Sequence, residues 1–410
     1  MEGVEEKVLA RMPLAEAVLT VWRYVASEER LQGLFERHRG RAYERAISFA
    51  TMVQLVSDAL IEHGGSGSQS FTRAEEAGEL PATPRAAYGK LGRLPVGLST
   101  AFLSGLASAT RELFPDQARR TPPEGLEGYA VVTIDGKTVK RIAKRLGPLR
   151  STGGGVIGGK AVVATERATG LVVAMAADPD GDANDARLMP DLLPQVREQI
   201  DGPRLWVADR AYSAPRQLAR FAEAGDAFVL RHNAKSEFTP DPSHPAARST
   251  DEQGQAFTDE RGWLGRERNP HRRYVRRVTL HREGAEDVSV VTDRMEAPAG
   301  ALLELYRERW GIERVFQQVT EVFGLESLIG GRPEATIFQL AFCLLLYNQT
   351  QLVRAYVLKH QGLEEENVSI EQLFTDVRRE LTAMAVVLGS VRLPPRSAAR
   401  TRRRLDTLLK

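Results

Sequence analysis

Apolar residues recur at helical spacing in the early part of the chain, in LAEAVLTVWRYV and RAISFATMVQLVSDALIEHG, and predict a helical region over residues 1–122. Gly64 to Ser70, a glycine-serine stretch, predicts a flexible break. FTRAEEAGELPATPRAAYGKLGRL then predicts a short helix, a turn through Gly78, Leu80 and Pro81, and a second helix opened by Thr83 and Pro84.

From Gly128 the period changes. YAVVTID (129–135) is a continuous apolar run, as a strand covered on both faces would be, and residues 160–179 predict two strands around a Thr169-Gly170 turn. LWVAD (205–209) is a further buried strand. Ser213 as helix cap, Pro215 in the first turn, the helix APRQLARFAEA, a stop at Gly225 and the strand AFVLR follow it. That is a strand–helix–strand unit, which places a parallel pair in a mixed sheet. Residues 237–285 are rich in Pro, His and Arg, with strands predicted around YVRRVTLHRE, and read as an insertion. Residues 300–323, 333–358 and 369–390 are predicted helical. The fold class is therefore α/β: a mixed sheet flanked by helices, with an N-terminal helical domain (1–122) and an inserted β-rich basic subdomain (237–285). Two segments (123–236 and 286–390) form the α/β domain, and 391–410 is a basic tail.

Composition adds limits. With 42% apolar and 27% charged residues, the 410-residue chain can bury sizeable cores. Its one cysteine, Cys343, lies in the apolar run IFQLAFCLLLYNQ, which predicts a buried reduced thiol, and no intramolecular disulfide can form. That run is too short to span a bilayer, and the acids of MEGVEEKVLARMPL do not fit a signal peptide. These features predict a cytoplasmic protein with no membrane partner.

Net charge is only +2, but its distribution is uneven. Residues 137–150 carry six bases, Lys137 and Lys140 among them, and no acid. Residues 261–277 carry seven Arg, including Arg272 and Arg273, against one Glu, interleaved with Trp263 and Tyr274. The tail from Arg392 carries seven bases against Asp406. Three such runs point to a polyanion partner. In that light the second hairpin reads either as a helix-turn-helix, with Arg85, Tyr88, Lys90 and Arg93 toward DNA, or as a plain helical hairpin.

Residues 306–313, YRERWGIE, hold the candidate chemistry. At about 100° per residue, Tyr306, Arg309, Glu313, Gln317 and Thr320 fall within roughly 40–60° of one line. Ile312, Val315, Phe316, Val319, Val322 and Phe323 form the opposite, apolar side. Spacing alone also fits a solvated face with an Arg309–Glu313 pair. Two more acids, Asp135 and Asp209, are expected at strand ends, where sheets of this kind place function. Three carboxylates could hold two divalent cations about 3.5–4 Å apart, one activating the attacking oxygen and one stabilising the leaving oxygen of a phosphodiester.

A strand ending in Asp135-Gly136, a strand ending in DRAY (Asp209 to Tyr212), a basic insertion and then Tyr306-x2-Arg309-x3-Glu313 resemble, in that order, a bacterial DDE transposase of the IS-four insertion-sequence family. The resemblance runs from about Gly128 to Leu346. It implies a ribonuclease-H-like fold with Asp135, Asp209 and Glu313 as catalytic metal ligands for two Mg2+ (or Mn2+) ions. It also implies DNA contacts by Tyr306 and Arg309 near the cleaved end. Trp310 either stacks on an unpaired base or packs in the core. Arg314, Tyr212, Arg210, Lys137, Lys140, Arg272 and Arg273 complete the expected DNA contacts. The family motif continues with a Lys seven residues after the Glu, where this chain has Thr320. One contact is therefore changed, or taken over by Arg314 or by Arg residues of the insertion. The implied activity is cut-and-paste transposition, with a homodimer on paired inverted-repeat ends, target DNA as second partner, a hairpin end as one route, and a bacterial, nucleoid-associated location. Two alternatives are a metal-dependent nuclease of the same fold and a DNA-binding derivative without catalysis.

Two other signals lead elsewhere and fail. GGVIGGKA (154–161) ends in Ala161 where a phosphate loop needs Ser or Thr, which argues against a nucleotide cofactor. DPDGDAND (178–185) has Met189 where a calcium loop needs its closing Glu, and reads as a surface loop.

Overall fold

The computed structural model describes residues 9–139, 158–251, 254–388 and 397–410. Ten strands form one mixed sheet: β1 (Ala130–Thr138), β2 (Lys160–Glu166), β3 (Val172–Asp178), β4 (Arg204–Ala208), β5 (Ala227–Arg231), β6 (Phe238–Pro240), β7 (Ala247–Thr250), β8 (Ala256–Leu264), β9 (Arg273–Leu280) and β10 (Val288–Thr292). Their order is β3-β2-β1-β4-β5-β10-β9-β8-β6, with β7 also paired to β8. β1, β2 and β3 are antiparallel, while β1, β4 and β5 run parallel. That succession is the ribonuclease-H-like sheet the resemblance implies.

The β2–β3 hairpin turns at Gly170, whose φ is +68° and whose absent β-carbon would lie 2.9 Å from Gln351 Nε2. β10, β9 and β8 continue the sheet antiparallel from β5, so strands within 237–285 share one sheet with the strands that carry and precede Asp135 and Asp209.

Among the described residues seven α-helices follow β3, the last two packed on other helices rather than on the sheet: α7 (Met189–Gln199), α8 (Pro215–Phe221), α9 (Ala299–Glu308), α10 (Trp310–Glu321), α11 (Pro333–Gln361), α12 (Ile370–Leu388) and α13 (Ala398–Leu408). Six precede them: α1 (Pro13–Val25), α2 (Glu28–His38), α3 (Phe49–Ile61), α4 (Gly67–Glu76), α5 (Pro84–Leu91) and α6 (Val96–Leu113). On one face of the sheet Trp206, Phe221, Phe228 and Leu192 form a core beneath α7 and α8. On the other, α11 is nearly all buried and shares its core with the N-terminal helices. Phe102 joins the two, with ring centroids 5.2 Å from Phe338 and 5.9 Å from Phe49. Each such ring contributes about 1.5–3 kcal/mol through burial.

Buried polar groups on α11 are matched to backbone. Asn348 accepts from the Val172 amide at 2.8 Å and donates to its carbonyl at 2.7 Å, pairing with the outer edge of β3. Gln339 Nε2 donates to Ser327 O at 2.8 Å and its Oε1 accepts from the Ile329 amide at 2.9 Å, which fixes the loop leaving α10. Cys343 is fully buried, its thiol pushed up by burial, as the sequence predicted.

Three local expectations are corrected. The Gly64–Ser70 break is shorter than expected: Gly64 and Gly65, at positive φ, part α3 from α4, but Ser66 already caps α4, accepting from the Gln69 amide at 3.3 Å, and Gly67 packs on Ile329. Ser213 does not cap α8, whose cap is Ala214; the Ser213 hydroxyl instead donates to Arg210 O and accepts from the Asn233 amide. Arg85 in α5 and Arg93, two residues past its end, are exposed, but Tyr88 packs on Phe71 and Lys90 donates to Ile47 O, so those two face inward. Among the described residues, no helix is long and apolar enough to cross a membrane.

Candidate active site

Asp209 directly follows β4, as expected. Asp135 does not end β1, which runs on to Thr138 because Gly136 to Thr138 keep their pairing with β2. Only on the β4 side does pairing stop, at Ile134 with Ala208. The two Asp residues are thus next neighbours across the parallel pair, where that pair opens.

The helix carrying the third acid is broken. α9 ends at Glu308 and α10 begins at Trp310, with Arg309 between them still in αR geometry (φ −49°, ψ −34°). Its flanks are pinned: Arg307 Nη2 lies 2.5 Å from Asp251 Oδ2, beyond β7, and Arg167 Nη2 donates to Glu308 Oε1 at 2.8 Å. Below the break, Ile312, Val315, Phe316 and Val319 are buried, so the apolar side lies as predicted.

Arg309 sits at the centre. It is 4% exposed and donates from Nη1 to Asp135 Oδ2 at 3.3 Å and from Nη2 to Glu313 Oε1 at 3.0 Å. Tyr306 donates its hydroxyl to Asp209 Oδ1 at 3.3 Å. Five sequence-predicted residues are therefore gathered by one arginine and one phenol. The simple solvated Arg309–Glu313 pair is only half right, since the arginine is buried and the carboxylate's side chain is 42% exposed.

Charge is tightly balanced here. Burial pushes the Asp135 carboxyl above its ordinary value, the Gly136 amide and Arg309 draw it back, and Glu313 and Asp209 push it up further. Burial opposes the Arg309 charge, yet Tyr306, Asp135, Asp209 and Glu313 together hold it above its ordinary range.

The other expected residues divide. Trp310 is 58% exposed rather than packed, and Arg314 and Arg210 are exposed. Tyr212 is buried in the core under α8, 1% exposed, and so is not a DNA-facing group. Arg272 and Arg273 lie over the rings of Trp263 (5.0 Å) and Phe228 (5.8 Å). The basic run they belong to is partly neutralised, since Arg261, Arg276 and Arg277 pair with Glu296, Asp259 and Glu260. Lys140 lies outside the described residues, as does the rest of its run to Arg150.

The charge missing at Thr320 is supplied from the sheet. Lys137 Nζ donates to Thr320 Oγ1 at 3.0 Å and stands over the Phe316 ring at 5.7 Å. Arg314 and the insertion were the expected sources. The signal was present: two residues past Asp135 in a continuing strand, Lys137 must share its face.

The chain matches the family model described as the transposase DDE domain over residues 127–349. It belongs to the transposase DDE domain family. A member of this family is expected to depend on a divalent metal. Among the described residues, no three His, Cys, Asp or Glu side chains stand close enough to hold a metal ion. The donor set nevertheless suits one: the three acids offer hard carboxylate oxygens, and two of them raise the proton affinity of the third.

Among curated relatives, the chain is 30% identical over 164 residues to a probable transposase for insertion sequence element IS5377 of Geobacillus stearothermophilus, covering 38% of this chain and 43% of the relative. It is 29% identical over 73 residues to a putative transposase y4zB of Sinorhizobium fredii (strain NBRC 101917 / NGR234), covering 18% of this chain and 20% of the relative. The chain thus spans less than half the length of the curated relatives it matches. A cryo-EM structure of a piggyBac transposase synaptic complex with hairpin DNA is similar at a TM-score of 0.46 and 11% identity, covering 96% of this chain and 85% of that one.

Proposed function

We propose that this protein is a DNA transposase that cleaves the inverted-repeat ends of its element with water and then joins the freed 3′-hydroxyl to target DNA. The observation that carries the reading is the bridge from Asp135 through Arg309 to Glu313, beside the Tyr306–Asp209 bond. It unites residues from a strand, a strand end and a broken helix in the order of the family motif.

Asp135, Asp209 and Glu313 would hold two Mg2+ or Mn2+ ions. When bound, the metal supplies activation of the attacking oxygen and stabilisation of the leaving one. Arg309, already central, orients a non-bridging phosphate oxygen through its planar fork. Tyr306 holds Asp209 in place until DNA arrives. Exposed Trp310 stacks on a base unpaired at the cleaved end. Arg314, Arg210 and Lys137 track the backbone, and the helices of residues 1–122 bind the repeat. A homodimer on paired ends, with cleavage through a hairpin, completes the scheme in the bacterial cytoplasm at the nucleoid. No nucleotide cofactor is required, since strand transfer is isoenergetic exchange of phosphodiesters.

The test incubates the full chain with end-bearing DNA, a target plasmid and Mg2+. Joined ends in the plasmid, absent with Glu313→Gln, are the expected result. Cleavage without joining would instead identify a nuclease, and equal activity of Glu313→Gln would overturn the site.

A further inference from the structure

We infer that Asp185 is a fourth acid serving this site, a positioning residue that braces Asp135 and Asp209 from the opposite face of the sheet. The inference rests on the transposase reading of Asp135, Asp209 and Glu313. Asp185 falls in the 178–185 loop, where Asp178 and Asp180 accept from the amides two residues on, at 2.9 and 3.0 Å, and Asp182 is exposed.

Alternation along β1 turns Asp135 toward Arg309 and Gly136 the other way. A β-carbon on Gly136 would lie 2.1 Å from Asp185 Oδ2 and 3.0 Å from Oδ1. The carboxylate therefore lies flat against the backbone one residue past Asp135, and only glycine leaves it room. The same Gly136 amide donates to Asp135 Oδ1 at 2.8 Å, so the peptide that orients Asp135 is backed by Asp185.

Two further groups hold the acid there. Lys160 Nζ lies 2.7 Å from Asp185 Oδ1, an ion pair rather than an aligned hydrogen bond, and donates to Thr138 Oγ1 at 3.1 Å. It clips the loop to the tip of β1. On the other side stands Tyr212, three residues past Asp209 and buried, whose hydroxyl closes no aligned hydrogen bond among the described residues. Burial raises its proton affinity first and Asp185 next, ahead of Asp135 and Asp209. Of the carboxylates, Asp185 therefore bears most on the phenol. One brace, Lys160–Asp185 with Gly136 and Tyr212 against it, touches the chain beside both acids.

The test measures Mn2+ binding to the full chain by electron paramagnetic resonance, alongside thermal unfolding and DNA cleavage. Asp185→Ala and Lys160→Met should each weaken Mn2+ binding about 10-fold or more, as loss of groups behind metal ligands does, with the unfolding midpoint close to that of the unaltered protein. Asp185→Asn, which keeps the shape, should lose less than Asp185→Ala. Unchanged Mn2+ binding in Asp185→Ala, while Asp135→Asn abolishes it, overturns this inference alone. A large fall in the midpoint of both Asp185 variants also overturns it, because the acid then serves the fold. Wild-type Mn2+ binding by Asp135→Asn overturns the reading of the site, and the brace with it.

Discussion

Lys137 and Thr320 are joined by a 3.0 Å hydrogen bond from Nζ to Oγ1, which ties β1 to α10 one helical stretch beyond Glu313. A cation thus stands at the place on the helix face where the motif has lost one. Lys137→Ala should weaken end-DNA binding and lower the slope of log affinity against log salt by about 1, without changing sequence preference. Fluorescence anisotropy across a salt series reads both. An unchanged slope would mean that Lys137 meets no phosphate.

Arg309 is buried between half-buried Asp135 and the more exposed Glu313, so deleting its charge removes the partner of both carboxylates. Arg309→Met should destabilise the metal-free protein by about 1–2 kcal/mol, less than a fully buried pair because Glu313 is partly solvated. Added Mg2+ should return part of that loss, since a cation can replace the missing charge. Chemical denaturation with and without Mg2+ provides the measurement, and an equal loss in both conditions counts against the acids sharing a cation.

Trp310 is large, apolar and exposed, so it contributes little to the fold. Trp310→Ala should leave stability within about 0.5 kcal/mol and cost about 1–3 kcal/mol in binding to ends with an unpaired terminal base. Binding to fully paired DNA should change far less. Equal losses on both substrates would argue against stacking.

Asp58 in α3 has its carboxyl raised to about 7, first by burial and then by the charge of Glu62. A raised folded value means that the folded state holds the proton more tightly. Stability from this group is therefore complete below the ordinary carboxylate value and lost as pH climbs through about 7. Asp58→Asn should raise the unfolding midpoint at pH 8, with the advantage shrinking toward pH 4. A constant difference across that range would contradict the shift.

The acids, Tyr306 and Arg309 were legible because each is fixed by a local period: a strand's end or a helix's turn. Trp310 was not, because its place about 40° from the line of Tyr306, Arg309 and Glu313 fits an exposed ring while its large apolar surface fits a core equally well. Lys137 was hidden by ending β1 too early, at Asp135. Asp185 could not be read at all: nothing local in DPDGDAND distinguishes the one acid that folds back on Gly136 from those that cap their own loop. Short polar strands such as β7, exposed along its whole length, carry no alternation to detect. The long apolar elements, α11 and β1 to β5, were plain from the chain because burial fixes both their composition and their length.

Asn348 spends its amide on the backbone of Val172, and so acts for one residue as the outer neighbour that β3 lacks among the described strands. An open edge is where sheets of separate molecules join and polymerise. Copies gathered on paired DNA ends, as proposed above, would meet that hazard at high local concentration. With this border occupied by a side chain from within, copies can gather without their sheets fusing there, and any contact between them is left to other surfaces.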